Sequence, residues 1–121
     1  LHNRSVFNSY GTVSFVSNEA GIGGAMGIIN SQVNFIGDVS FQGNHASYSG
    51  GAILAQNDSN VCFGGGVVFA HNRASYNGGA VYLFFSSNIV WKGEIVFANN
   101  TADFGGAVIF FDNEVYFIGN V

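Results

Sequence analysis

Hydrophobic and polar residues alternate in short segments along the whole chain. In Val13-Ser14-Phe15, and again in Val33-Asn34-Phe35, two apolar side chains flank a polar one. This spacing places the apolar pair on one face of a β-strand. No window shows the period of about 3.6 residues that marks an amphipathic helix. The pattern therefore predicts an all-β chain of short strands separated by turns.

The same motifs return at a nearly constant interval. A Phe-x-x-Asn motif begins at Phe15, Phe41, Phe69 and Phe97, in steps of 26, 28 and 28 residues. Each copy is followed by Gly-Gly-Ala and then by a block of the form Val-x-Phe-x-Gly. We therefore divide the chain, taken as one unit over residues 1–121, into repeats 13–38, 39–66, 67–94 and 95–120.

A repeat of this size cannot bury its own apolar face, whereas stacked repeats bury a continuous core. We predict a right-handed parallel β-helix (β-solenoid), the hand following from the usual chirality of parallel crossovers. Each coil is expected to hold three short strands and about 27 residues, giving roughly four and a half coils. Strands in neighbouring coils would lie about 4.8 Å apart.

Stacking turns each repeated position into a column of equivalent residues. The first aromatic column is Phe15, Phe41, Phe69 and Phe97, the second is Phe35, Phe63, Trp91 and Phe117, and the Asn column is Asn18, Asn44, Asn72 and Asn100. We expect the Asn column to adopt the left-handed conformation at a turn and to link its side-chain amides from coil to coil. The Gly-Gly pairs and a glycine column (Gly11, Gly37, Gly65, Gly93 and Gly119) are expected at tight corners or positive φ.

Composition narrows the possible functions. Charged residues make up 8% of the 121 residues and the net charge is −4, which disfavours a nucleic-acid binder. The longest apolar run, residues 80–85, is far shorter than the roughly 18 residues of a membrane span. The single cysteine cannot form an intrachain disulfide. The chain opens without an initiator Met, so we expect it to be part of a longer or processed protein.

The combination of Phe-x-x-Asn with Gly-Gly-Ala-(Ile/Leu/Val) resembles the passenger repeats of the chlamydial polymorphic outer-membrane proteins. All four Phe-x-x-Asn copies match that pattern, as do the glycine motifs at 50–53, 78–81 and 105–108, whereas the first glycine motif ends in Met26. The resemblance implies an extracellular β-helix that acts as an adhesin and self-associates into larger assemblies.

Two sets of residues are candidates for contact with other molecules. Asn3, Asn57 and Asn99 begin N-x-Ser/Thr sequons, so N-linked glycan is one source of solubility for this charge-poor surface; chance in an Asn- and Ser-rich chain is the alternative. An aromatic cluster, comprising Tyr82, Phe84, Phe85, Phe110 and Phe111, is either an exposed interface or a loop folded back onto the core. Glu19, His45, Arg73 and Thr101 share a column that we interpret as ordinary loop surface rather than a polar ladder.

Catalytic and metal chemistry find little support in the sequence. Asp38 and Glu94 share a column, but Gly66 lies between them, which sets them about 9.6 Å apart, two coil spacings. The histidines lie in different columns, and no Cys or carboxylate joins them into one group, so we predict no metal and no cofactor. We predict a non-catalytic structural segment of an extracellular or cell-surface filament or scaffold, with partners limited to self-association (end to end or lateral), N-linked glycan and a receptor. The alternative is an adhesin-type autotransporter passenger that binds a receptor on a host or neighbouring cell.

Overall fold

The computed structural model describes residues 1–2, 4–85, 87–110 and 114–117, with Ile109, Phe110 and residues 114–117 described by their backbone alone. Across these residues the chain is all β, without a helix, as the alternating pattern predicts. The described strands are β1 (Val6–Ser9), β2 (Val13–Val16), β3 (Glu19–Ile22), β4 (Met26–Ile29), β5 (Gln32–Phe35), β6 (Val39–Gln42), β7 (His45–Ser49), β8 (Ile53–Gln56), β9 (Asn60–Phe63), β10 (Val67–Ala70), β11 (Arg73–Ala74), β12 (Val81–Phe84), β13 (Asn88–Trp91), β14 (Ile95–Ala98), β15 (Val108–Phe110) and β16 (Glu114–Phe117).

Each strand pairs in parallel with its equivalent one repeat away. Within the described residues the first sheet is β1-β5-β9-β13-β16, the second β2-β6-β10-β14, the third β3-β7-β11 and the fourth β4-β8-β12-β15. The register joins like to like, since Phe15 pairs with Phe41 and Phe41 with Phe69. The prediction of a parallel β-solenoid is confirmed by this topology.

The third sheet was not predicted, so the expectation of three strands in each coil is wrong. Its strands follow the Asn column, and they place Glu19 beside His45 and His45 beside Arg73. We interpreted this segment as a loop because its length varies between repeats. The extra residue of the longer copies is instead absorbed inside the sheet, where the register shifts between Ala20 and Ile22. The polar column therefore lies on a strand rather than on a loop.

The core fills the inside of the coils with the two aromatic columns. Rings in the first column stack with centroids 4.9, 4.9 and 5.1 Å apart and planes within 7° of parallel. In the second column, Phe35 stacks on Phe63 at 5.3 Å and Phe63 on Trp91 at 6.0 Å. The columns meet edge to face, as between Phe41 and Phe63 at 88°, which is a favoured arrangement of aromatic pairs. The side chain of Phe117 lies outside the described residues, although its backbone pairs with Trp91.

The turn before the third sheet corrects a second expectation. The left-handed residue is the one preceding the Asn column, namely Ser17, Gly43, His71 and Asn99, with φ between 54° and 63°. The asparagines themselves keep negative φ, which leaves their side chains directed between the coils. The described members of the glycine column, Gly11, Gly37, Gly65 and Gly93, are likewise outside the left-handed region. Close packing is the requirement at the last three, since a Cβ on Gly65 would lie 2.7 Å from the carbonyl carbon of Gly37, whereas a Cβ on Gly11 would meet nothing within 4 Å. Gly119 lies outside the described residues, as do the last positions of the fourth repeat, 118–120.

Candidate functional site

The Asn column lies at the corner between the second and third sheets and connects the coils through its side chains. Asn44 and Asn72 are wholly buried. The Oδ1 of Asn72 accepts two hydrogen bonds from Asn44, one from the backbone N–H at 3.0 Å and one from Nδ2 at 2.9 Å. The Nδ2 of Asn72 donates to Oδ1 of Asn100 and to the carbonyl of Phe41, both at 3.0 Å. The amide thereby uses both donors and both acceptor positions that it possesses.

A second polar column, which the sequence analysis missed, runs through Ser5, Ser31, Ser59 and Ser87. The Oγ atoms of Ser31, Ser59 and Ser87 each accept a hydrogen bond from the backbone N–H of the serine one repeat earlier, at 3.2, 3.2 and 3.3 Å. These three hydroxyls are buried. The available signal was a serine two positions before the blocks that begin at Val33, Val61 and Ile89. Ser5 and Ser59 also complete two of the sequons, so stacking gives these serines a structural role that is independent of glycan.

The structure places two of the three sequon asparagines at the surface. Asn57 and Asn99 are exposed and adopt the left-handed conformation, with φ of 56° and 55°. Asn57 follows the strand β8 and Asn99 follows β14, so each lies at a turn. Asn3 lies outside the described residues. Both described asparagines therefore have the solvent access that attachment of a glycan requires.

The predicted aromatic cluster is assembled in part. Tyr82 and Phe84 lie half-buried on the outer face of β12, with ring centroids 5.0 Å apart. The Phe85 ring lies 4.8 Å from that of Phe84, with the two planes tilted by 56°. Phe85 is 63% exposed and left-handed, with φ of 55°. Phe110 ends β15, which pairs with β12, but its side chain and all of Phe111 lie outside the described residues.

A different set of aromatic residues is more exposed, and we name it the aromatic strip: Tyr48, Tyr76 and Phe104. Their exposed fractions are 59%, 50% and 63%. The two tyrosine rings stack at 5.8 Å, and the backbone N–H groups of Tyr76 and Phe104 each donate to the carbonyl of the preceding member at 2.8 Å. The strip is therefore a fixed apolar feature on the outside of the solenoid. Its signal in the sequence was an aromatic residue two positions after the equivalent alanines Ala46, Ala74 and Ala102.

The remaining candidates are surface groups. In the polar column, Nδ1 of His45 lies 3.4 Å from Oε1 of Glu19. The backbone of Arg73 forms an isolated parallel β-bridge with Thr101. Cys62 is a free thiol on β9, half-buried between Asn34 and Val90. Within the part of the chain that the structure describes, no group of three or more His, Cys, Asp or Glu could hold a metal ion. The described part of the chain also holds no helix that could serve as a membrane span.

Asp38 and Glu94 line one shallow groove on the outer face of the second sheet. The groove has a volume of about 360 Å³ and is centred on Gly66. Oδ1 of Asp38 accepts a hydrogen bond from the backbone N–H of Gly66 at 2.8 Å. The structure thus brings the two carboxylates to one surface feature, one on either side of a glycine.

Two of the repeats match a family of known proteins. A family model, the Chlamydia polymorphic membrane protein repeat, matches residues 38–56 and 66–84. No curated protein and no solved structure matches the chain. Each matched segment starts one residue before a Phe-x-x-Asn strand and ends with the strand after Gly-Gly-Ala, so the two segments cover β6–β8 and β10–β12. Residues 38–56 and 66–84 are therefore repeats of the Chlamydia polymorphic membrane protein type.

Proposed function

We propose that this chain is a non-catalytic structural segment of an extracellular, surface-exposed protein of the passenger type. One observation carries the proposal: the matched repeats at 38–56 and 66–84 coincide with successive coils of the solenoid. The matched family is named for a membrane protein, which supports a place at the cell surface. The winding that we propose is right-handed, because parallel crossovers are right-handed in nearly all folds.

The distribution of polar groups supports a structural role. The recurring asparagines and serines direct their side chains to neighbouring coils, where they satisfy buried backbone groups. The recurring aromatic residues fill the core in two stacked columns. Each repeated position therefore stabilises the contact between one coil and the next, and the length of such a rod can grow by adding repeats.

We also propose that copies of the chain self-associate into a filament or scaffold that carries glycan at Asn57 and Asn99. Electron microscopy of native material tests the assembly. Uniform fibres with an axial repeat near 4.8 Å are expected. Short separate rods attached to cells would overturn the filament and leave the solenoid intact.

A second function, binding of a receptor by an adhesin passenger, is favoured by the aromatic strip. Exposed apolar patches on soluble proteins often mark interaction sites, and Tyr48, Tyr76 and Phe104 are held in place by their backbone hydrogen bonds. The test is binding of the purified chain to cells, compared between the natural sequence and Tyr76→Ser. A marked loss of binding in the variant, with an unchanged far-ultraviolet spectrum, would favour the adhesin.

A further inference from the structure

We propose that the groove centred on Gly66 binds a basic side chain, above all an arginine, presented by a partner polypeptide. The groove lies where the first sheet turns into the second. Its acidic side is formed by the column Thr12, Asp38, Gly66 and Glu94, and its apolar side by Val68 and Val96. The proposal concerns side chains that the structural columns do not use, and it does not depend on whether the chain builds filaments.

The column beside the groove is fixed by the backbone. The N–H of Val39 donates to the carbonyl of Gly66 at 3.0 Å, and the N–H of Val67 donates to the carbonyl of Glu94 at 2.9 Å. Successive members are therefore stacked one coil apart, about 4.8 Å. Gly66 adds no side chain to this column, so the lining of the groove is open between Asp38 and Glu94.

The fold does not require glycine at position 66. Gly66 is absent from the positive-φ residues, and a Cβ built on it would meet Oδ1 of Asp38 at 3.5 Å and the carbonyl oxygen of Glu94 at 3.7 Å. These are ordinary van der Waals contacts. Its neighbour Gly65 differs, because a Cβ there would lie 2.7 Å from the backbone of Gly37. The opening thus has no origin in local strain or in close packing of the coils.

The charge around the opening favours a cation. Oδ1 of Asp38 is held by Gly66 at 2.8 Å, and Glu94 is exposed. Lys92 lies two positions before Glu94, but the ion pair found within 4.0 Å among the described residues joins His45 to Glu19 instead. Both carboxylates next to the groove are therefore open to an external cation.

The shape and the apolar side select the kind of cation. Asp38 and Glu94 stand two coil spacings apart, about 9.6 Å along the column, and a planar guanidinium can pair with the carboxylate of either one through two parallel N–H donors. Val68 and Val96 offer methyl groups on which the methylene stem of a long basic side chain can pack. A guanidinium is less strongly hydrated than an ammonium ion, so we expect arginine to bind more tightly than lysine.

The test uses the intact chain and the capped tripeptide acetyl-Gly-Arg-Gly-amide, with the neutral isostere acetyl-Gly-citrulline-Gly-amide as the matched ligand control. Binding is followed by the backbone amide shifts of Gly66, Val67 and Val68 in nuclear magnetic resonance spectra. We expect saturable shifts with the arginine peptide, weaker shifts with a lysine peptide, and none with citrulline. Because hydrogen bonds to charged groups are roughly twice as strong as those between neutral groups, removing the charge is expected to weaken binding by about tenfold or more.

Two variants separate shape from charge. Gly66→Thr fills the groove with a residue that the column already accepts at Thr12, and the pair Asp38→Asn with Glu94→Gln removes the charge while keeping the side-chain shapes. The control removes two charges elsewhere, with Glu19→Gln and Asp103→Asn, and is expected to bind within about twofold of the natural chain because exposed charges at long range are screened.

Several outcomes would overturn the proposal. The first is equal amide shifts with the arginine and citrulline peptides, and the second is undiminished peptide binding by Gly66→Thr. The third is an equal loss of peptide binding in the Asp38→Asn/Glu94→Gln pair and in the control pair. A glucosamine oligomer serves as a second probe, and saturable binding of it without binding of the peptide would assign the groove to a saccharide amine instead. Concentration-dependent dimerisation that Asp38→Asn abolishes would identify the partner as a second copy of this chain.

Discussion

The Asn column allows one stability prediction to be worked out from its contacts. Replacing Asn72 by Ala removes the acceptor of the Asn44 backbone N–H and a donor to the Phe41 carbonyl, both bonded at 3.0 Å. The Nδ2 of Asn44 keeps its bond to the carbonyl of Phe15, so the backbone groups bear most of the loss. A buried group left without a partner costs about 1–3 kcal/mol. The unpaired Asn44 N–H, together with the lost bond to the Phe41 carbonyl at about 0.5–1.5 kcal/mol, predicts a loss of about 2–4 kcal/mol for Asn72→Ala.

This loss is large beside the roughly 5–15 kcal/mol by which domains are stable. It is measurable by urea unfolding followed through Trp91, the single tryptophan of the chain, which is 1% exposed. The matched control is Asn60→Ala, because Asn60 is exposed and its Oδ1 accepts from Nδ2 of Asn88 at 3.1 Å on the outside of the first sheet. Water replaces that bond, so we expect a loss of at most about 0.5 kcal/mol. Equal losses of unfolding free energy in the two variants would refute the conclusion that the Asn column stabilises the contact between coils.

The remaining predictions concern close packing, glycan and the aromatic strip. Gly65→Ala should lower the free energy of unfolding by about 1–3 kcal/mol through overpacking. The control Gly27→Ala should not lower it, because nothing lies within 4 Å of the added Cβ. Thermal melts in which Gly27→Ala is the less stable variant would contradict the argument that the coils are closely packed at Gly65. Asn99→Gln should remove one glycan mass from the native protein by peptide mass spectrometry, and an unmodified Asn99 in the natural chain would exclude that site. Tyr76→Ser should weaken binding of the purified chain to cells without lowering the melting temperature, since Tyr76 is 50% exposed. Unchanged binding would exclude the aromatic strip as the receptor-binding surface.

Most of the fold could be predicted from residues that recur at the same position in each repeat, because a stacked column favours the same residue in every coil. Phe41 and Phe69, for example, recur with a constant offset and pair directly. The third sheet escaped prediction since β11 has only two residues, Arg73 and Ala74, too few to show an alternating pattern. Its strands contain small and polar residues, and the register shift at Ala20 obscures the spacing.

The surface was less predictable than the core. The predicted cluster and the aromatic strip both contain aromatic residues in segments of variable length, and the direction of a side chain there depends on the local bend of the backbone. Tyr48, flanked by two serines, is exposed, whereas Tyr82, in the apolar run 80–85, is half-buried. The serine column was overlooked for a related reason: Ser59 is wholly buried, but serine is equally common in exposed turns.

The hydrogen bonds that join one side-chain amide of the Asn column to the next all run in one direction. Nδ2 of Asn18 donates to Asn44, that of Asn44 to Asn72, and that of Asn72 to Asn100. Each amide dipole therefore adds to the next and polarises it, as in other hydrogen-bonded chains. One face of a coil presents an amide donor and the opposite face presents an acceptor. Coils joined through this column are compatible head to tail, and two like faces would set donor against donor, so the column gives the rod a built-in direction.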